Sequence, residues 1–467
     1  MLQTSHLVAL LLSLAWLGPV LDARGSASHP KLPTAPLALP LAQDHETVAV
    51  AWVKAFNTGI EAMGKYRDAH SASPDEAGWR EDYKSIKEEL GELTVVRGMA
   101  PDDETMILGV ESEGMGYLRL SFGFDQSGKV VNIQLGEERT NKAAPFEVES
   151  DDPRPVQAID AYLRDRFTQD DFAGAVLIAT AGEVWFEQAY GLASREFKVP
   201  NTIETRFDVG SFNKDYTRLA IMQLVQDGAF TLGDLVGEFL PDYPNEQVRE
   251  EVTIRQLLEH RSGLGDYFDE DYFSTPMQQL REIEDYIPIW GPKPLEYEPG
   301  AREQYSNYGY TVLGAIVEAI TGMSYPEYVV ERIFEPAGMV DTGFFETDSV
   351  EPNVAVGYTY FDHTGRPSKT LRKNTFHEPI KGGPWGKSYS TARDLFRFFD
   401  ALYGDRLVDP EFGWSGAGWD GQAMLAGGGP GLSAMLVLEG GLAVIVLSNQ
   451  DEPGAEDIAE RLHEGLR

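Results

Sequence analysis

Ser211-Phe212-Asn213-Lys214 is the stretch on which the reading of this chain turns. It lies where an extended segment ending in Asp208-Val209-Gly210 meets a helical run. Residues three apart share a helix face, so the spacing brings the Ser211 hydroxyl and the Lys214 amine into one space. A lysine amine ordinarily titrates near about 10.4, and burial lowers that value until the amine can accept a proton. A serine hydroxyl needs such a partner, being a weak nucleophile at its own pKa. Phe212, Tyr216, Leu219 and Ala220 continue at helical spacing, and Gly228 closes the run as a C′ glycine. Ser28-His29-Pro30-Lys31 repeats the spacing, but in a Pro-rich stretch where a helix is not expected. A helix-start serine with a surface lysine one turn later would give the same four letters, so a second motif has to decide.

That motif is Tyr305-Ser306-Asn307, which follows Glu298-Pro299-Gly300 and precedes an apolar helix expected over Tyr310 to Ile320. Tyr243-Pro244-Asn245 shows how cheaply Tyr-x-Asn arises, but that copy sits in a Pro-bounded loop with no comparable helix expected behind it. Ser211, Lys214, Tyr305 and Asn307 together supply what acyl transfer needs. Ser211 attacks a carbonyl and Lys214 takes or shares its proton. The Tyr305 phenol relays protons to the leaving group and later activates water. Asn307 orients the lysine and the substrate amide.

From about Pro155 to the C-terminus the chain resembles the serine hydrolases of the penicillin-binding-protein and class C β-lactamase superfamily. That group includes carboxypeptidases, D-amino-acid peptidases and family VIII carboxylesterases. The resemblance also rests on Gly174-Ala175-Val176-Leu177-Ile178 with Ala181-Gly182 and Tyr190-Gly191-Leu192, similar to the opening hairpin. Further phrases are Thr253 to Leu264 around His260-Arg261-Ser262-Gly263, Ile333 to Met339, and Ser390-Thr391-Ala392-Arg393-Asp394-Leu395 after Gly382-Gly383. The resemblance implies an α+β (α/β) fold: an antiparallel sheet flanked by helices, with strands from both chain ends, plus a helical lobe. It implies Ser211, Lys214 and Tyr305 as catalytic groups and Asn307, Gly427 and Gly428 as substrate-binding ones. An oxyanion hole is implied from the backbone N–H groups of Ser211 and Gly428. No cofactor and no metal are expected.

One departure matters. Anchoring the third motif on Pro430-Gly431 places Leu425 where the family carries Lys or His. The glycine-rich backbone remains, but a cation that would hold a substrate carboxylate is missing. Hydrolysis of esters, small amides or peptides is therefore expected ahead of β-lactam turnover. The alternatives are a D-amino-acid peptidase or carboxypeptidase on cell-wall peptides and a catalytically weak peptide-binding relative. His260 reads as a structural residue of its turn. Trp385 and Tyr389 fit either a pocket lining or packing.

The 467 residues suggest two domains, and 42% hydrophobic with 11% aromatic residues supports globular folding. A net charge of −36 repels phosphate backbones and anionic lipid, which argues against nucleic-acid or membrane-surface partners. The expected partner is a small-molecule or peptide substrate, with no reading of oligomeric state. With no cysteine, disulfides, thiol catalysis and lipid attachment through cysteine are excluded, and the histidines show no paired metal-ligand spacing. Leu7 to Leu21 fits the apolar core of a secretory signal over 1–27, so an exported, periplasmic or extracellular product is expected. A Pro-rich linker (28–43) follows. Residues 44–138 then read as a small α+β domain resembling nuclear-transport-factor-like (cystatin-like) modules. Its helical spacing of Val48, Trp52, Ala55 and Phe56, a helix over Glu76 to Leu90 and four strand-like runs carry that reading. A linker (139–154) leads to the hydrolase domain, 155–467.

Overall fold

The computed structural model describes residues 42–71, 79–102, 105–112, 116–125, 127–137, 146, 153–168, 170–361, 367–375, 379–412 and 422–467. The stretch expected to be a secretory signal, the Ser28 copy of the motif and the Pro-rich stretch up to residue 41 lie outside these residues. The chain divides into two compact units, one ending at Lys142 and one running from Ala143 to Arg467.

The first unit places three helices, α1 (Ala42–Thr58), α2 (Ile60–His70) and α3 (Trp79–Leu90), before an antiparallel meander. Its strands β1 (Leu93–Asp102), β2 (Thr105–Ser112), β3 (Gly116–Phe124) and β4 (Val130–Glu137) are ordered as they come in sequence. Alternation in β3 buries Leu120, Phe122 and Phe124 against Val53 and Phe56 of α1. Asn57 fastens α1 to β1 by exchanging two hydrogen bonds with the Leu93 backbone, at 2.6 and 2.9 Å. The helix α2 was not expected. It buries only Met63 and Tyr66, too little to produce a readable apolar stripe.

The second unit is an antiparallel sheet flanked by helices with a helical lobe on one face, as the sequence implied. Helix α4 (Val156–Thr168) precedes the hairpin β5 (Gly174–Thr180) and β6 (Glu183–Tyr190). Nearly all of the lobe then intervenes, built around α5 (Asn213–Gln226), α6 (Asn307–Thr321) and α7 (Ala392–Tyr403). The chain returns through β7 (Gln422–Gly429), β8 (Leu432–Glu439), β9 (Leu442–Ser448) and α8 (Gly454–Leu466). The sheet order β7-β8-β9-β5-β6 makes a C-terminal strand pair with an N-terminal one, Ile445 opposite Leu177.

Residue alternation divides β5 between two cores. Leu177 joins the lobe side with Phe212 and Tyr216, while Val176 and Ile178 join Leu163 of α4 and Ile458 and Leu462 of α8. Each such side chain contributes about 1.5–3 kcal/mol on burial. Buried Arg166 of α4 adds an ion pair to Asp457 of α8 at 2.8 Å.

Three details of the lobe position the site. The short strands Phe207–Asp208 and Tyr389–Ser390 pair, so the approach to Ser211 is stitched to the segment after Gly382-Gly383. Helix α5 ends at Gln226 with Asp227 as its C-cap, and Gly228 follows with φ +76°, the conformation that glycine adopts without strain. Helix α6 begins at Asn307, ahead of the expected Tyr310, because the Ser306 hydroxyl accepts the Gly309 N–H at 2.9 Å. The Tyr243 copy of the second motif precedes only a short helix, Glu246–Glu251, capped by Asn245, and not one comparable to α6. Its buried Tyr243 hydroxyl donates to Tyr308 and is a packing group.

Candidate active site

The nucleophile candidate sits on a tight turn. Gly210 has φ +52°, and a methyl there would come within 2.8 Å of Leu432 Cδ1 and 3.1 Å of the Gly428 nitrogen. Its N–H donates to Asp208 Oδ1 at 2.9 Å. A helical turn, Gly210–Phe212, leads from it into α5, so Ser211 and Lys214 lie on one face.

Lys214 Nζ is 3.1 Å from Ser211 Oγ, 2.6 Å from Asn307 Oδ1 and 2.5 Å from the Trp385 carbonyl oxygen. Tyr305 Oη is 2.7 Å from the same Ser211 Oγ. The two carbonyl oxygens can only accept, so each takes an N–H from the amine. A neutral amine then has its lone pair left for the third direction, toward Ser211. Burial lowers the Lys214 pKa to about 7, while Asp266 and Asp215 pull the other way. The amine can therefore be a base near neutral pH. Burial also raises the Tyr305 phenol well above its ordinary range, against the hydrogen bond it shares with Ser211. It stays protonated and can pass a proton rather than hold a charge.

A supporting layer fixes these groups. Asn307 Nδ2 donates to Asp266 Oδ2 at 2.9 Å, which turns the amide oxygen toward Lys214. Burial raises Asp266 to about 6 and Lys214 lowers it, so the carboxylate is charged when the site is used near pH 7. His260 adopts φ +55°, accepts the Ser306 N–H on Nδ1 at 3.2 Å and stacks on the Tyr305 ring with centroids 4.6 Å apart. Burial, with Lys214 and Arg218 nearby, lowers it to about 3, so the ring is neutral. It is the structural residue expected, and what it supports is the phenol itself.

The third motif also meets the turn. A methyl on Gly427 would fall 2.0 Å from the Val209 oxygen and 3.1 Å from the Ser211 nitrogen. Only glycine lets the edge strand β7 approach so closely. The Gly428 amide adjoins the same turn, the arrangement an oxyanion hole requires. Leu425 is half-buried and packs against the lobe core. Ser211, Lys214, Tyr305, Asn307, Gly427 and Gly428 are thus brought together. Trp385 and Tyr389 are buried packing residues, although the Trp385 backbone carbonyl holds Lys214. Asp266 was missed by the sequence reading: it follows the His260 turn, where no spacing rule singles out a carboxylate.

Comparison with known proteins gives the class. The beta-lactamase family profile matches residues 159–466, and the chain belongs to that family, within the β-lactamase and penicillin-binding-protein-like serine hydrolases. It is similar to penicillin-binding protein 4* of Bacillus subtilis (strain 168), 30% identical over 316 residues, which cover 60% of this chain and 69% of that protein. Other curated relatives, from B. subtilis and Staphylococcus aureus, are spanned over 59% and 41% of their lengths. A penicillin-binding protein of Bacillus halodurans superposes with TM-score 0.57 at 28% identity, covering 65% of this chain and 98% of that one. The D-amino acid amidase of Ochrobactrum anthropi SV3 does so with TM-score 0.56 at 25% identity, covering 66% and 97%. Among the described residues no helix is long and apolar enough to cross a membrane.

Proposed function

We propose that this chain hydrolyses esters or small amides and peptides through an acyl-enzyme on Ser211. The observation that carries the reading is the convergence of Lys214 Nζ and Tyr305 Oη on one serine oxygen, at 3.1 and 2.7 Å. Neutral Lys214 removes the Ser211 proton as the oxygen attacks the carbonyl carbon. The amides of Ser211 and Gly428 receive the charge developing on the carbonyl oxygen. Tyr305 donates its proton to the leaving group and is reprotonated through the Lys214 network, and the same groups in reverse activate the water that releases the acid. Leu425 supplies no cation for a substrate carboxylate, which favours neutral esters and amides over β-lactams. Exchanging Leu425 for His is expected to raise turnover of carboxylate-bearing peptides or a chromogenic cephalosporin.

A D-amino-acid peptidase or carboxypeptidase is the second reading, and the amidase likeness at 25% identity favours its first form. Export fits the apolar Leu7–Leu21 stretch. Residues 44–138 are proposed as a nuclear-transport-factor-like module joined by a linker to the hydrolase domain, 155–467; three helices and a four-stranded meander support this. The test is a fluorophosphonate probe with p-nitrophenyl esters. Wild type should be labelled and active and Ser211→Ala neither; an unlabelled, inactive but folded wild type would point to the peptide-binding relative instead.

A further inference from the structure

The edge strand that completes the site brings a carboxylate with it. Successive residues of a strand face opposite ways. A methyl on Gly427 points at Val209 and Ser211, whereas one on Gly428 would lie 1.2 Å from Glu452 Oε1 and 1.8 Å from its Cδ. The Glu452 carboxyl therefore fills the space of the absent side chain on the residue whose amide adjoins the nucleophile turn. It is held there by construction. The preceding Asp451 accepts the Gly431 N–H at 2.7 Å and the Tyr360 N–H at 2.8 Å, and α8 starts two residues after Glu452. The negative charge of Glu452 also raises the Tyr305 phenol, behind burial and the charges of Asp266 and Tyr310.

Strand β7 itself, Gln422 to Gly429, carries no cationic side chain. A substrate lying along this edge thus meets an anion where Leu425 has removed a cation. We propose that Glu452 is a specificity-determining residue that receives an ammonium group of the substrate beside the scissile carbonyl. The preferred substrates are then amides or esters bearing a free amine, and free carboxylates are rejected. The chain's net charge of −36 draws cationic molecules in the same sense. A purely structural Glu452, serving the start of α8, would leave selectivity for substrate charge unmoved.

This inference rests on the hydrolase reading above, and its test separates the two. The kcat/KM of alanine p-nitroanilide, D and L, is compared with that of the N-acetyl and N-succinyl derivatives. Wild type should prefer the free amine over the acetyl form by about tenfold or more, with the succinyl form slowest. Glu452→Gln should cut that preference by about tenfold, and Glu452→Asp, which keeps the charge one methylene further back, by less. Fluorophosphonate labelling of Ser211 in each variant reports an intact site. Labelling without any charge preference in wild type overturns the Glu452 assignment alone, as does a ratio within about twofold of wild type in labelled Glu452→Gln. Absence of labelling in wild type overturns the hydrolase reading beneath it.

Discussion

Two buried lysines flank the nucleophile turn, and they are held in opposite ways. Lys214 donates to neutral acceptors, Asn307 Oδ1 and the Trp385 carbonyl, while the carboxylates Asp266 and Asp215 act on it by their charge and Asp266 also holds the Asn307 amide. Lys387 faces a carboxylate directly, Asp208 Oδ2 at 3.6 Å, with both side chains nearly inaccessible. Burial pushes Asp208 up, and Lys387 draws it back. Oxygens that carry no charge let burial discharge an amine and make a base of it. A carboxylate keeps an ammonium as one half of an ion pair. Here that pair has a positional task, since the other Asp208 oxygen holds the Gly210 N–H, and Lys387 N–H donates to the Gly210 oxygen at 3.3 Å. One lysine serves the chemistry, the other the turn that presents the serine.

The sharpest break in this contrast is Lys214→Ala. Loss of the base should lower kcat/KM on p-nitrophenyl esters by about 10³-fold with folding retained by circular dichroism. Lys387→Met should instead cost stability, about 3 kcal/mol by urea unfolding, because it strands a buried carboxylate. Its residual activity per labelled site should stay far above that of Lys214→Ala. A result with the two effects exchanged would invert the comparison.

Proton linkage separates the lysines again. The Lys214 amine releases its proton near pH 7 in the fold and about 10.5 in the open chain. Between those values the unfolded chain binds more protons, so folding stability rises with pH, by about 1.4 kcal/mol per unit at most. Urea unfolding at pH 7 and 9.5 should show this climb in wild type and Lys387→Met, and a loss of it in Lys214→Met. The smallest effect is expected from Asp266→Asn. Asp266 raises the Lys214 pKa, so neutralising it should move the acid limb of the kcat/KM profile to lower pH. A shift to higher pH would contradict the assigned sign.

The parts of this site that were legible in sequence are those that local geometry enforces. Ser211 and Lys214 share a face because a helix puts them there, and Gly228 ends that helix as its position required. The strands β5, β8 and β9 were visible as short apolar runs because both of their faces are buried. The helix Ile60–His70 was not, since two buried side chains set no period. Nor were Asp266, Glu452 or the Asp208–Lys387 pair, whose partners are 41, 24 and 179 positions away at Asn307, Gly428 and each other. The Trp385 contact uses a backbone carbonyl, which every residue type carries, so no residue identity could announce it.

The neutral amine at 214 is the point on which the rest turns, and the pH dependence of Ser211 acylation reads it directly. The second-order rate of fluorophosphonate labelling, located by mass spectrometry of the Ser211 peptide, should rise with pH through a midpoint near 7, the value to which burial brings Lys214. It should collapse in Lys214→Ala. Labelling of Ser211 at a rate that is flat across pH 5–9, or unchanged by removal of the lysine, would contradict the account.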